Sequence, residues 1–132
     1  MSQQETAQVV QKVYDSFNTE DIGGLSSTFT GDIEFVVVAV PKPPFYRSRR
    51  GRDSMSEFIG SMAAHQEPMG AVDIREIIVQ GNKAAAFGYA AWHVKSTDLD
   101  WETDFAHSWT VEGDKLTRCQ KYTDTAAMSA AY

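Results

Sequence analysis

Three side chains able to hold or move a proton, His107, Cys119 and Lys121, fall within fifteen positions of alternating sequence. Phe105, His107, Trp109 and Val111 alternate with Asp104, Ala106, Ser108 and Thr110, the period of two of a half-buried antiparallel strand. An imidazole among aromatic rings loses hydration of its cationic form. Its pKa is therefore expected to fall, leaving a neutral base or a hydrogen-bond donor at physiological pH. The alternative is a core histidine bonded to a backbone carbonyl or to Tyr89. Lys121 on the same face would find a carboxylate or lose its charge, and could polarise a ligand carbonyl; otherwise it snorkels to a rim or points outward. Cys119 has no activating partner in the sequence and reads as a small buried hydrophobe.

The common facing of these groups depends on the turn between two strands. A three-residue loop over 112–114, with Gly113 at positive φ, brings His107 and Trp109 to the face of Cys119 and Lys121. A two-residue loop would bring in Asp104 and Ser108 instead. The first is preferred because it buries the aromatics. On the preceding strand, alternation groups Phe87, Tyr89, Ala91 and His93 on one face. Tyr89 and Trp109 read as cavity walls, and Tyr14 and Phe17 as helix-to-sheet packing, each able to touch a ring-shaped ligand. His93 lies nearer the rim, as a solvated strand-end histidine or an assisting group.

The elements that must position these residues follow from pattern. Ser2 and Glu5 form a capping box, and Ala7, Val10, Tyr14 and Phe17 predict an amphipathic helix ending near Asn18. Ile22, Leu25 and Phe29 predict a short helical turn closed by Thr30 and Gly31. The valine-rich run 33–40, stopped by Pro41, Pro43 and Pro44, predicts a buried strand followed by a loop to about Gly51. Ser54 and Glu57 suggest a second capping box, with Met55, Phe58, Ile59 and Met62 on a third helix that breaks before Pro68 and Gly70. Runs 72–79, 84–95, 101–111 and 116–123, separated by turn residues, predict a meander. The Ala-rich tail after Asp124 receives no assignment. Helices first and consecutive strands after imply an α+β fold.

Composition bounds the function. The chain has 132 residues, enough for one domain, with a formal charge of −6 and a pI near 4.9, which argues against a general nucleic-acid binder. The single cysteine forbids an internal disulfide, the N-terminal residues form no apolar secretory core, and no run reaches membrane-spanning length. A soluble, cytoplasmic protein is the expectation. Lys42, Arg47, Arg49, Arg50 and Arg52 crowd beside the prolines, as a solvated loop or as a steering patch for an anionic ligand or a neighbouring subunit. His93 and His107 lack the spacing of a zinc site, so no metal is expected.

The order helix, helix, strand, proline loop, helix, long meander resembles the nuclear-transport-factor-2-like superfamily, in particular its SnoaL-like polyketide cyclase and ketosteroid-isomerase-like branch. The resemblance covers nearly the whole chain as one domain, 1–132. It is carried by Gly51, Arg52 and Asp53 before the third helix, by Phe105, Ala106, His107, Ser108 and Trp109, and by Tyr122, Thr123 and Asp124. It implies a cone-shaped, curved antiparallel sheet with about three helices on its concave face. That face would be shared by Phe87, Tyr89, Ala91 and His93 with Phe105, His107, Trp109, Cys119, Lys121 and Thr123. Ketosteroid isomerases place a base and a tyrosine where Val37 and Val13 stand, and an oxyanion-stabilising acid where His107 stands. Epoxide hydrolases of the limonene type place their water-activating set near Val37, Ala39, Tyr89, Ala91 and Lys121. Neither machinery transfers, and one fold hosts many chemistries.

The resulting expectation is a cofactor-independent isomerase- or cyclase-like enzyme acting on a small apolar carbonyl compound. His107 would be base or oxyanion donor, assisted by Lys121, Tyr89 and His93. Tyr14, Phe17, Phe58 and Met62 would touch the ligand from the helices, and Phe87, Phe105, Trp109 and Cys119 from the sheet. The alternatives are a ligand-binding module without chemistry, or a structural homodimer packed through Arg118, Gln120, Tyr122, Ala106 and Ser108. No cofactor, nucleic-acid partner or membrane partner is expected, and a homodimer is.

Overall fold

The computed structural model describes residues 2–38 and 42–132. Helix α1 (Gln3–Asn18) starts at the expected capping box: the Ser2 hydroxyl accepts from the Glu5 N–H at 3.1 Å, and the Glu5 carboxylate accepts from the Ser2 N–H at 3.2 Å. Its buried face carries Val10, Val13 and Tyr14. Helix α2 (Ile22–Ser27) is capped by Asp21 and ends before Phe29, which opens strand β1 (Phe29–Val37) by pairing with Leu116. Sheet pairing thus takes Phe29 from the expected helical turn. The strand end expected at Val40 and Pro41, and the Ala39 position of the hydrolase comparison, lie outside the described residues.

Strand β2 (Arg49–Arg50) pairs with β1 and leads into helix α3 (Arg52–His65), whose cap is Gly51 at φ +96 with no side-chain cap bond. Ser54 sits inside the first turn, so the expected capping box is absent. Four more strands pair with one another, β3 (Gln66–Pro68), β4 (Asp73–Gln80), β5 (Lys83–Val94) and β6 (Leu99–Glu112), and are followed by β7 (Lys115–Tyr122). The tail forms helix α4 (Thr125–Ala131), capped by Asp124 and docked through buried Met128 and Ala131.

The sheet order is β2-β1-β7-β6-β5-β3, with β4 also on β5. All pairs are antiparallel except β1 with β7, so the sheet is a curled mixed one and not the purely antiparallel sheet expected. The first strand lies beside the last, and no local pattern carries the direction of so distant a pairing.

Two details of register decide what faces inward. In β5 the buried positions are the even ones, Ala84, Ala86, Gly88, Ala90, Trp92 and Val94. The large side chains of Phe87, Tyr89 and His93, together with Ala91, therefore lie on the outer face, the reverse of the expectation. The inner face takes small residues because other side chains cover it. A Cβ on Gly88 would come within 2.7 Å of the Phe105 ring and 2.3 Å of the Asp73 carbonyl oxygen. The second detail is the β6–β7 hairpin. Its loop is only Gly113 and Asp114, with Gly113 at φ +61. Pairing then slips, from Val111 with Leu116 to Thr110 with Arg118, leaving Thr117 as a bulge. That extra residue restores the expected facing by another route: His107 pairs with Lys121 and Trp109 with Cys119.

Candidate functional site

Between the sheet's inner face and the helices lies a cavity of about 120 Å³. Helix α1 contributes Val13, Tyr14 and Phe17, helix α3 contributes Met55, Phe58, Ile59 and Met62, and α4 contributes Met128. The strands add Phe105, His107, Trp109, Cys119 and Lys121, and Thr123 follows the end of β7. Cavities of ~150 Å³ lined by apolar side chains hold one benzene ring, so the space suits a single-ring guest.

His107 is fixed by a hydrogen-bond chain. The Trp109 indole N–H donates to the Tyr14 hydroxyl at 2.9 Å, and Tyr14 Oη lies 2.6 Å from His107 Nδ1. An indole can only donate, so the phenol oxygen accepts from Trp109 and its one hydrogen goes to Nδ1. This assigns the ring hydrogen to Nε2. Burial, and then the positive charge of Lys121, hold the imidazole well below its ordinary range, so it is neutral. Burial likewise raises the Tyr14 phenol, keeping its proton available for Nδ1. The ring plane is set by stacking: Phe105 lies 4.4 Å away at 21°, and Tyr14 5.7 Å away at 8°. Nε2 is buried without a protein partner among the described residues. His107 therefore presents a hydrogen-bond donor, with no lone pair free to act as a base.

Lys121 stands directly across from it. Its ammonium lies 5.5 Å from the Tyr46 ring centre and 5.6 Å from that of Phe58. None of the ion pairs among the described residues includes it. Burial lowers its pKa, opposed by the neighbouring Cys119. The Cys119 thiol is itself pushed up to about 12 by burial, in keeping with an inert packing role. No Asp or Glu lines the cavity among the described residues. Among those residues Trp101 Nε1, also on the lining, is likewise buried without a partner, while the buried hydroxyls of Tyr46 and Thr123 lie close to one another and meet no other partner.

The cavity thus gathers Tyr14, Phe17, Phe58, Met62, Phe105, His107, Trp109, Cys119 and Lys121 from the expected set. It leaves out Phe87, Tyr89 and His93. Tyr89 donates to Glu102 at 2.5 Å on the outer face, and His93 is held between Asp100 at 2.6 Å and Asp98 at 3.0 Å. Asp104, on that same face, pairs with Arg75 at 3.4 Å. The basic segment is largely scaffolding. Arg49 donates to the Phe45 carbonyl and lies over the Phe58 ring, Arg52 donates to the Phe29 carbonyl, and Arg50 pairs with Glu34. Sequence reasoning missed Trp101, which extending the odd-numbered alternation of β6 would have found. Tyr46, whose packing no sequence pattern resolves because it lies in a loop with no periodic signal, also lines the cavity.

The fold has close counterparts among solved structures. A nuclear-transport-factor-2-like protein from Burkholderia xenovorans matches with a TM-score of 0.87 and 27% identity over 99% of this chain and 98% of its own. TerC, co-crystallised with polyporic acid, matches with a TM-score of 0.80 and 24% identity over 96% and 97%. An epoxide hydrolase of the limonene type from M. tuberculosis matches with a TM-score of 0.78 and 16% identity over 98% and 90%. Among curated proteins the sequence has no match. The profile of one sequence family covers residues 10–119, from within α1 through β1, the α3 wall and the His107 strand to Cys119 in the middle of β7, and by that match the chain belongs to the SnoaL-like domain family.

Proposed function

We propose that this chain is a small-molecule pocket protein that performs cofactor-independent proton shifts, of the isomerase or cyclase kind, on a compact and largely apolar carbonyl compound. The observation that carries the reading is the buried, unpartnered Nε2–H of His107 facing an apolar cavity with one cation opposite. A guest carbonyl oxygen would accept from Nε2–H. The unprotonated fraction of the Lys121 amine, enlarged by burial, would take an α-proton. The C–H electron pair then becomes the enolate double bond, and the carbonyl pair moves to oxygen. The oxyanion so formed lies between Nε2–H and the newly formed ammonium. The ammonium returns its proton to the α-carbon of a simple ketone, or to the γ-carbon where an unsaturated ketone has given a conjugated dienolate, and that second return is the isomerisation. His107 is the electrostatic partner in this scheme and Lys121 the base, a division the sequence had left open. Tyr14 and Trp109 are positioning residues, because they act through His107. The co-crystallisation of TerC with polyporic acid is in keeping with a small-molecule role.

The test is α-proton exchange of small cyclic ketones in deuterated buffer, followed by NMR. His107→Ala is expected to slow exchange by about 10²-fold, the usual loss when one oxyanion donor is removed. Equal rates in the variant and the parent protein would remove the catalytic reading.

A second reading concerns assembly. Phe87 and Tyr122 flank Ala106 on the outer face, with exposures of 38% and 43%, and exposed Ile78 lies across from Ala85 on the same face. This apolar row is where a second copy would pack. The homodimer reading rests on it.

A further inference from the structure

The inventory of the cavity points to the charge of its guest. The unpartnered nitrogens on the lining all donate: His107 Nε2–H and Trp101 Nε1–H are buried without a partner, and the Lys121 ammonium has no counter-ion among the described residues; the Tyr46 and Thr123 hydroxyls lie beside one another. The indole nitrogen can do nothing else, and the imidazole Nε2 joins it in the tautomer that the Tyr14 hydroxyl selects. The lining contributes one cation and, among the described residues, no carboxylate to neutralise it. A buried unpaired charge is a costly arrangement, and cost is relieved when a partner of opposite sign arrives with hydrogen-bonding capacity of its own.

We infer that the cavity is a binding site for a single-ring organic anion, an aromatic carboxylate or a like ionised oxyacid, whose charged oxygens lie between Lys121 Nζ and His107 Nε2–H while its ring is sandwiched by the aromatic lining. This rests on the preceding reading only in that the cavity admits a guest; it requires no turnover. Geometry supports the placement. His107 and Lys121 are directly opposite on adjacent strands, so their side chains leave the sheet side by side. The rings of Phe58, Tyr46 and Phe105 supply flat apolar walls around them. The volume near 120 Å³ matches one ring. The whole chain carries a net charge of −6, so its overall field repels anions and the affinity must come from this local pair. Surface attraction would fade in salt, whereas a buried pair is screened much less.

The experiment compares benzoate with benzamide, which has nearly the same shape and no charge, by isothermal titration calorimetry on the whole chain at low and high salt. Benzoate is expected to bind at one site per chain and about 10- to 100-fold more tightly than benzamide, with little change on adding salt. In Lys121→Met the preference is expected to vanish while benzamide still binds, which also reports that the cavity is intact. Equal binding of the two probes by the unmodified protein, no binding of either, or a preference that survives Lys121→Met would each overturn the inference. Benzoate binding without ketone exchange would leave this inference standing and end the catalytic reading; exchange without a benzoate preference would do the reverse.

Discussion

Two histidines on adjacent strands of one sheet have opposite fates. His107 in β6 faces inward, with Phe105 and Tyr14 against its ring and no carboxylate near it, and its pKa is driven down. His93 in β5 faces outward between Asp98 and Asp100, and the Asp100 hydrogen bond drives its pKa up. What separates them is strand parity and the neighbours that parity delivers. The inner face concentrates donors and excludes acids, whereas the outer face interleaves acids with bases and pairs them. Chemistry needs the first kind of surface and solubility the second.

The largest expected break in this contrast is Tyr14→Phe. It leaves the Trp109 N–H and His107 Nδ1 buried without partners, which should cost about 2 to 3 kcal/mol in urea unfolding. The ring hydrogen of His107 is then no longer held on Nε2, which ¹⁵N chemical shifts of the imidazole would report. An unchanged stability and tautomer would show that the chain Trp109, Tyr14, His107 does not orient the donor.

Next in size is Phe87→Glu on the outer face. It should weaken self-association by about 100-fold, as loss of a central apolar anchor does, while changing monomer stability by no more than ~0.5 kcal/mol. Analytical ultracentrifugation over a concentration series reads the first and urea unfolding the second. Unaltered sedimentation would place any assembly elsewhere.

The smallest effect is in pH dependence, and the two histidines give it opposite signs. The unfolded chain protonates an imidazole at its ordinary value, whereas folded His107 resists, so the folded state loses stability as pH falls below that value. His93 binds its proton more tightly when folded. Its contribution is present below the ordinary value and is lost as pH rises through the raised one. Unfolding measured from about pH 7 to about pH 5 should therefore show an acid-side decline that His107→Gln flattens and His93→Ala steepens slightly. A decline identical in all three proteins would dissociate it from His107.

Helix α1, the inward set of β6 and the α+β class were legible because each is written locally: a capping box, a 3.6 repeat, an alternation of aromatic and polar residues. The β5 face was misread for an equally physical reason. Its first four buried positions are three alanines and a glycine, Gly88 being held small by Phe105 and the Asp73 carbonyl, and only Trp92 and Val94 at the far end are large, so size and hydrophobicity pointed to the wrong parity. The parallel pairing of β1 with β7, the packing of α4, and Tyr46 at the cavity wall depend on contacts between residues far apart in the chain. Lys121 was legible as a candidate, but its lack of a counter-ion is a property of the assembled lining. The direction of the His107 hydrogen bond was hidden for the same reason, since it is fixed by Tyr14, 93 residues away.

The unpaired Thr117 makes the facing of β7 depend on a single bulge. Were that residue drawn into the ladder, so that Arg118 lay across from Trp109, the loop and both strands would still form, yet Cys119 and Lys121 would turn to the solvent side and Arg118 and Gln120 toward the hollow. Deleting Thr117 outright is expected to leave His107 across from Lys121, because the residue lost is the one already outside the pairing; the reactive inventory of the pocket hangs on whether the bulge forms, in a chain whose other strands need not move. A relative with as many residues here but an unbroken ladder would present the opposite set, so position-by-position alignment of distant relatives across this hairpin can pair residues that face opposite ways.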